Sequence, residues 1–375
     1  MITIKGSYNT ANVMIDEIDE TAREQIQTFL NHPAFANTYI AVMPDVHAGK
    51  GAVIGFTMKT NGFIIPNVIG VDIGCGMLSA KFSLDSIDPA KLDSFIRTEI
   101  PSGFAINKNH NCVSKSQKHE IRDVCLRIKT DTDKALNAVG SLGGGNHFIE
   151  AGYDSNRYLW ITIHSGSRNF GLKIAVHYQK KAKEILSKNS ADIQYKDLEF
   201  MPEDSPECRD YLRDLFTAQK FAASNREEMM RRIISFIGKD PEETIESVHN
   251  FIGTDNIIRK GATPAHKGQK VIIPFNMRDG IAICEGKGSE KYNCSAPHGA
   301  GRILSRVQAK KQLSADDFRQ QMINAGIYTS TASKETLDEA PGAYKDMNLI
   351  LDNIKETVEV IEMIKPVYNF KAGKE

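Results

Sequence analysis

The chain has 375 residues, with Lys plus Arg and Asp plus Glu balanced at 47 each, so its formal net charge is zero. That balance excludes a generally basic nucleic-acid sponge, and any anionic partner has to be held by a local patch. A hydrophobic content of 41% and a charged content of 25% belong to a globular protein with a sizeable core, which excludes a disordered tail, a coiled coil and a collagen-like chain.

Residues 16–30 have helical periodicity with an acidic start that suits the helix dipole. TYIAVMP (38–44) reads as a buried strand. PDVHAGKGAVIGF (44–56) and NVIGVDIGCGMLSAKF (67–82) are β-branched runs whose glycines mark tight turns or close approaches. Residues 88–98 and 117–138 read as helices. SLGGGNHFIEAG (141–152) is a glycine loop entering a strand, and RYLWITIHSGSRNFG (157–171) is a strand ending in a polar turn, followed by a helix to about 188. Polar residues 192–210 suggest a loop. An amphipathic helix over 205–238 follows, and with the loop it suggests a helical insertion at about 190–240. KVIIPF and GIAICEG read as strands, 294–313 as a loop feeding a helix, and Ser314 with Asp317 as an N-cap. Residues 346–364 read as helix, and KPVYNFKAG as a closing strand.

The N-terminus lacks a basic segment followed by an apolar one, and no run of 18 apolar residues occurs, so a soluble, cytoplasmic protein with no membrane partner is expected. The six cysteines form no CxxC pair, which leaves reduced thiols as the expectation.

Asp72 and Cys75 in VDIGCGM can point into one cavity, and oxygen with sulfur suits a transition metal such as Mn, Zn, Co or Fe. The bland reading is a buried Cys beside a turn Asp. Three of the ten histidines supply further candidates: His147 after GGGN, His164 at the end of LWITIH, and His249 in SVHN. Five ligands exceed one tetrahedral site, and a thiolate bridging two metals would explain the surplus. His298 in SAPHGAGR sits at a glycine-flanked loop before a helix. It reads either as a sixth ligand or as a nucleophile for a phosphoryl or nucleotidyl group. No Walker A motif is present. Arg302 and Arg306 share a helix face and, with Arg168, are candidates for phosphate binding. Arg259, Lys260, Lys267 and Lys270 form a local basic stretch that would support them.

In order, PDVHAGKG, GVDIGCGM, GGGNHFIE, HSGSRNFG, RKGA, SAPHGAGRILSR and AYKD resemble the RtcB family of RNA-splicing ligases, in a compact bacterial form. The resemblance runs from about residue 40 to the C-terminus. It implies a GTP- and Mn²⁺-dependent RNA ligase that joins a 3′-phosphate or 2′,3′-cyclic phosphate end to a 5′-hydroxyl end, in RNA repair or tRNA splicing. It further implies two manganese ions on Asp72, Cys75, His147, His164 and His249, with Cys75 bridging, and His298 as the guanylylated residue oriented by Asp45. For the nucleotide it implies contacts from Asn146, Glu150, Ser295, Gly299, Ala300, Gly301, Arg302, Tyr344 and Lys371. It leaves open whether an archease-type activator acts with the enzyme. The segment GFAINKNH (103–110) departs from the family's glycine-rich form, which bears on RNA-end specificity. The expected fold is α/β (α+β type), a single compact domain over 1–375 with mixed β-sheets around a central metal-containing cleft. The rival readings are a dinuclear phosphatase or nuclease, which would not need His298 as a nucleophile, and a nucleotide-binding regulatory protein.

Overall fold

The computed structural model describes residues 1–109, 112–188, 195 and 197–372. The β-branched runs form two large sheets. One is six-stranded, in the order Ile2–Lys5, Thr10–Val13, Ile40–His47, Ile54–Lys59, Ile257–Lys260 and Asn250–Ile252. It is mixed: Thr10–Val13 and Ile40–His47 run parallel and the other pairs antiparallel. The other sheet has seven antiparallel strands, in the order Glu243–Val248, Gly76–Phe82, Leu159–Ser165, Phe148–Tyr153, Val358–Lys371, Gly280–Gly286 and Lys270–Asn276. Each sheet has its own apolar core. The helix Pro206–Ile237 joins them, giving Leu215, Ala218 and Phe221 to one core and Met229, Met230 and Ile233 to the other. The result is a single compact α/β domain with one mixed and one antiparallel large sheet.

Several expected elements shift. The helix expected over 117–138 is two, Lys115–Ile128 and Thr132–Asn137, because Lys129 takes a left-handed φ of 54° and Asp131 caps the second helix through Lys134 N. Of the loop expected at 192–210, positions 192–194 and 196 lie outside the described residues, Met201–Pro202 form a short strand, and the helix starts at Pro206 behind the Ser205 cap. Residues 346–364 are helical only over Met347–Asn353. The strand Val358–Lys371 then runs 14 residues. Its β-branched residues are satisfied by pairing on both sides, and Pro366 is tolerated because the register shifts between Pro366 and Tyr368. The Ser314 cap is present, its Oγ accepting from Asp317 N.

The antiparallel order positions the site. Strand Glu243–Val248 ends where Gly76–Phe82 begins, Leu159–Ser165 ends beside that start, and Phe148–Tyr153 begins opposite His164. Lys371, the last residue of its strand, lies opposite Phe148. One end of the sheet therefore carries His249, Cys75, His164, His147 and Lys371 on five neighbouring strands or the residues flanking them.

Candidate active site

Two groups of candidate ligand atoms form at that sheet end: Cys75, His164 and His249 in one, and Asp72, Cys75 and His147 in the other, each within 4.8 Å. Cys75 belongs to both. Hydrogen bonding sets which imidazole nitrogen is available. His147 Nδ1 lies 3.0 Å from Leu142 O and His164 Nδ1 lies 3.2 Å from Asn146 O. A carbonyl only accepts, so these Nδ1 atoms carry protons and each Nε2 is the nitrogen turned toward the cluster. His147 Nε2 then faces Asp72 Oδ2 at 3.0 Å and Cys75 Sγ at 3.5 Å. His164 Nε2 faces Cys75 Sγ and His249 Nε2, each at 3.3 Å.

Burial first, then neighbouring basic side chains, hold His164 and His249 well below the ordinary histidine range, so both are neutral, the ligating form. Burial and then the Asp72 carboxylate push the Cys75 thiol well above its usual value, so a thiolate forms here only with a cation beside it. Lone pairs, a thiol and a carboxylate directed at one another in a buried space fit a divalent transition metal.

Asp45 and His298 stand next to this set, the His249 and His298 rings having centroids 4.6 Å apart. His298 donates its Nδ1–H to Asp45 Oδ2 over 2.6 Å, and its backbone N–H donates to the same oxygen at 3.3 Å. Asp45 is fully buried, within a stretch where strand register breaks between Val42 and His47.

A cavity of about 410 Å³ opens in front of these groups. Asp72, Cys75, His164, His249 and His298 line one side. Asn146, Glu150, Gly299, Ala300, Gly301, Arg302, Tyr344 and Lys371 are among its other lining residues. Ser295 is not at this wall: it sits behind the loop, donating to Asn293 O and accepting from Arg259 Nε. His147 faces a second cavity of about 480 Å³ on the other side of Asp72, where Arg168, Lys134, Lys173 and Phe104 are found. Asp72 lines both.

Four residues that line the first cavity converge on one carboxylate that the motifs did not single out. Glu339 accepts from Arg302, Tyr344, Arg306 at 2.9 Å and Lys371 at 3.1 Å. Burial alone would raise Glu339, but the charges of Lys371, Arg302 and Arg306 outweigh it and hold the carboxylate down at about 2. Glu150 is the opposite case. Burial lifts it to about 8, with Lys371 and Asn369 only partly offsetting, and its Oε1 has no partner.

Arg302 and Arg306 meet at Glu339 although only Arg306 is helical, in Arg306–Gln312. The expected basic stretch does not form a surface patch. Arg259 is fully buried, paired with Asp255 and holding Ser295. Lys260 is buried too, donating to Asn67 O at 3.1 Å and to Lys50 O; burial and then Lys50 lower it to about 7. Only Lys267 and Lys270 reach the surface, and Lys270 pairs with Glu243.

Residues 25–372 match the family model described as tRNA-splicing ligase RtcB. The chain is 33% identical over 387 residues to RNA-splicing ligase RtcB1 of Escherichia coli strain ATCC 25922, covering 93% of this chain and 94% of that one. It is 32% identical, with the same coverage, to RNA-splicing ligase RtcB of E. coli K12. To tRNA-splicing ligase RtcB of Nanoarchaeum equitans it is 27% identical, over 84% of this chain and 83% of the relative. No helix among the described residues is long and apolar enough to cross a membrane. A family match over nearly the whole sequence, with relatives at about a third identity that cover as much of it, makes the chain a member of the RtcB family.

Proposed function

We propose that this protein is a GTP- and manganese-dependent RNA ligase that joins a 3′-phosphate or 2′,3′-cyclic phosphate end to a 5′-hydroxyl end, in RNA repair or tRNA splicing. The observation that carries this reading is the Asp45–His298 pair, with His298 at the wall of a nucleotide-sized cavity and Asp45 buried beside it. Asp45 accepts the Nδ1 proton of His298, which leaves the lone pair on Nε2. That nitrogen attacks the α-phosphorus of GTP. A P–N bond forms, the bond to the bridging oxygen breaks, and pyrophosphate leaves. An oxygen of the RNA 3′-phosphate, after opening of any cyclic phosphate by water, then takes the guanylyl group and frees His298. The 5′-hydroxyl attacks the activated phosphate, and GMP leaves.

Asp72, Cys75, His147, His164 and His249 would hold two Mn²⁺ ions, whose charge offsets that of the phosphates. Arg302, Tyr344, Lys371 and Asn146 bind and orient the nucleotide. Glu150 belongs to the same cavity, its carboxyl lifted to about 8 by burial. The second cavity, reached across Asp72, gives the other RNA end a path to the same centre.

Incubation with α-labelled GTP and Mn²⁺, followed by a denaturing gel, tests the reading. The wild type should carry an acid-labile covalent label, and His298→Ala should carry none while still binding Mn²⁺. Metal-dependent phosphate release without labelled protein would instead establish a dinuclear hydrolase.

A further inference from the structure

We propose that Asn225 and Arg226, adjacent on the helix Pro206–Ile237, are positioning residues that set the spacing of the five candidate metal ligands. The proposal rests on reading that cluster as a metal site. Both side chains are completely buried, on a helix whose buried residues are mostly apolar apart from Asp214, Thr217 and Glu228. A buried guanidinium is a poor stabiliser compared with an apolar residue of the same volume, so its contribution is geometric.

The partners of the pair are the backbone beside the ligands. Arg226 Nη1 donates to Gly74 O at 2.9 Å and to Ser165 O at 2.8 Å, the residues before Cys75 and after His164. Its Nη2 donates to Glu246 Oε1 at 2.7 Å, on the strand that leads to His249. Asn225 Nδ2 donates to Ser165 Oγ at 3.0 Å and to Gly166 O at 3.1 Å. Gly166 packs so closely on Asp72 that an added Cβ would lie 2.2 Å from its Oδ1. Asn225 Oδ1 accepts from Gly140 N at 2.8 Å and Ser141 N at 3.0 Å, fixing the loop whose Leu142 O takes the proton of His147 Nδ1. Two neighbouring side chains thus tie together the segments that carry all five ligands. The planar fork of arginine reaches two carbonyls and a carboxylate at fixed angles, which a lysine cannot do.

Asn225→Asp keeps the shape and the Oδ1 acceptor but turns the amide donor into an acceptor facing Gly166 O. Arg226→Lys keeps the charge and loses the fork. Mn²⁺ affinity and stoichiometry are measured by titration calorimetry on the full chain, with circular dichroism and metal-free melting as fold readouts. Met229→Ala, equally buried on the same helix, controls for stability loss alone. The expected result is a retained fold with Mn²⁺ binding weakened about 10- to 100-fold in both variants and unchanged in the control. Affinities within about twofold of wild type would overturn the proposal and leave the pair a purely structural one. If Arg226→Lys does not fold, the isosteric Asn225→Asp decides. A wild type that takes up no Mn²⁺ overturns the metal reading itself, and the proposal with it.

Discussion

Lys345 holds Asp45 from behind: its Nζ donates to Pro44 O at 2.7 Å and to Val46 O at 2.8 Å, the carbonyls on either side of the aspartate. Its backbone N–H donates to Gly301 O at 3.0 Å, three residues past His298. Gly301 has a φ of +74°, and a Cβ there would lie 2.3 Å from Asp45 O, so only glycine allows this approach. The two halves of the Asp45–His298 pair are therefore joined through one lysine and one glycine.

Asp45→Asn should leave Mn²⁺ binding intact and slow labelling from GTP by roughly two to four orders of magnitude, since the imidazole loses the charge that fixes its tautomer. Lys345→Met should slow the same step by a smaller factor. Single-turnover labelling measured beside metal content checks both. Loss of manganese from Asp45→Asn would instead make Asp45 a ligand.

Cys75 is the one residue common to both ligand groups. Cys75→Ala should therefore lose both ions, whereas His249→Ala should weaken mainly one. Metal analysis of the purified variants after dialysis reads this directly. Near-full occupancy in Cys75→Ala would remove its bridging role.

Much of the site was legible because histidines, glycines and carboxylates sit in short segments where bulky apolar residues would otherwise be expected. Gly301 and Gly166 show why: each lies where a Cβ would collide with Asp45 or Asp72. Glu339 was not legible, since its role depends on Arg302, Arg306, Tyr344 and Lys371 converging from separate segments. Asn225 and Arg226 did leave a signal. They continue the inward stripe of Ala218, Ala222 and Met229 at helical spacing, so two polar residues stand where the periodicity calls for apolar ones. The closing strand was read over its second half, but residues 358–364 were hidden because their apolar residues are interleaved with Glu359 and Glu362, a pattern that fits an exposed helix as well as a strand.

Phe104 is 81% exposed at the second cavity, which leads to Asp72 and His147. An exposed aromatic beside Arg168, Lys134 and Lys173 suits stacking on an RNA base, a contact worth about 1–3 kcal/mol. Phe104→Ala should raise the KM for RNA about tenfold and leave GTP labelling and thermal stability unchanged. An unchanged KM would leave Phe104 outside the RNA path.

Glu150 gives a pH signature with a definite sign. Its carboxyl is held at about 8 in the folded protein, chiefly by burial, against an ordinary value of 4.5. Between those values the native state keeps a proton that the unfolded chain has released, so stability falls as pH rises through this window and levels off above it. Glu150→Gln cannot titrate, and its side-chain oxygen can still accept from Asn369 Nδ2, now 2.6 Å from Glu150 Oε2. Melting temperatures without nucleotide should therefore show a variant-minus-wild-type difference that grows with pH. Between pH 5 and pH 8.5 the difference should rise by on the order of 5 °C in favour of the variant. Any constant cost of fitting the new amide cancels, because the test reads the slope. Parallel pH profiles for the two proteins would show that Glu150 is already ionised in the fold, with Lys371 rather than burial governing its charge.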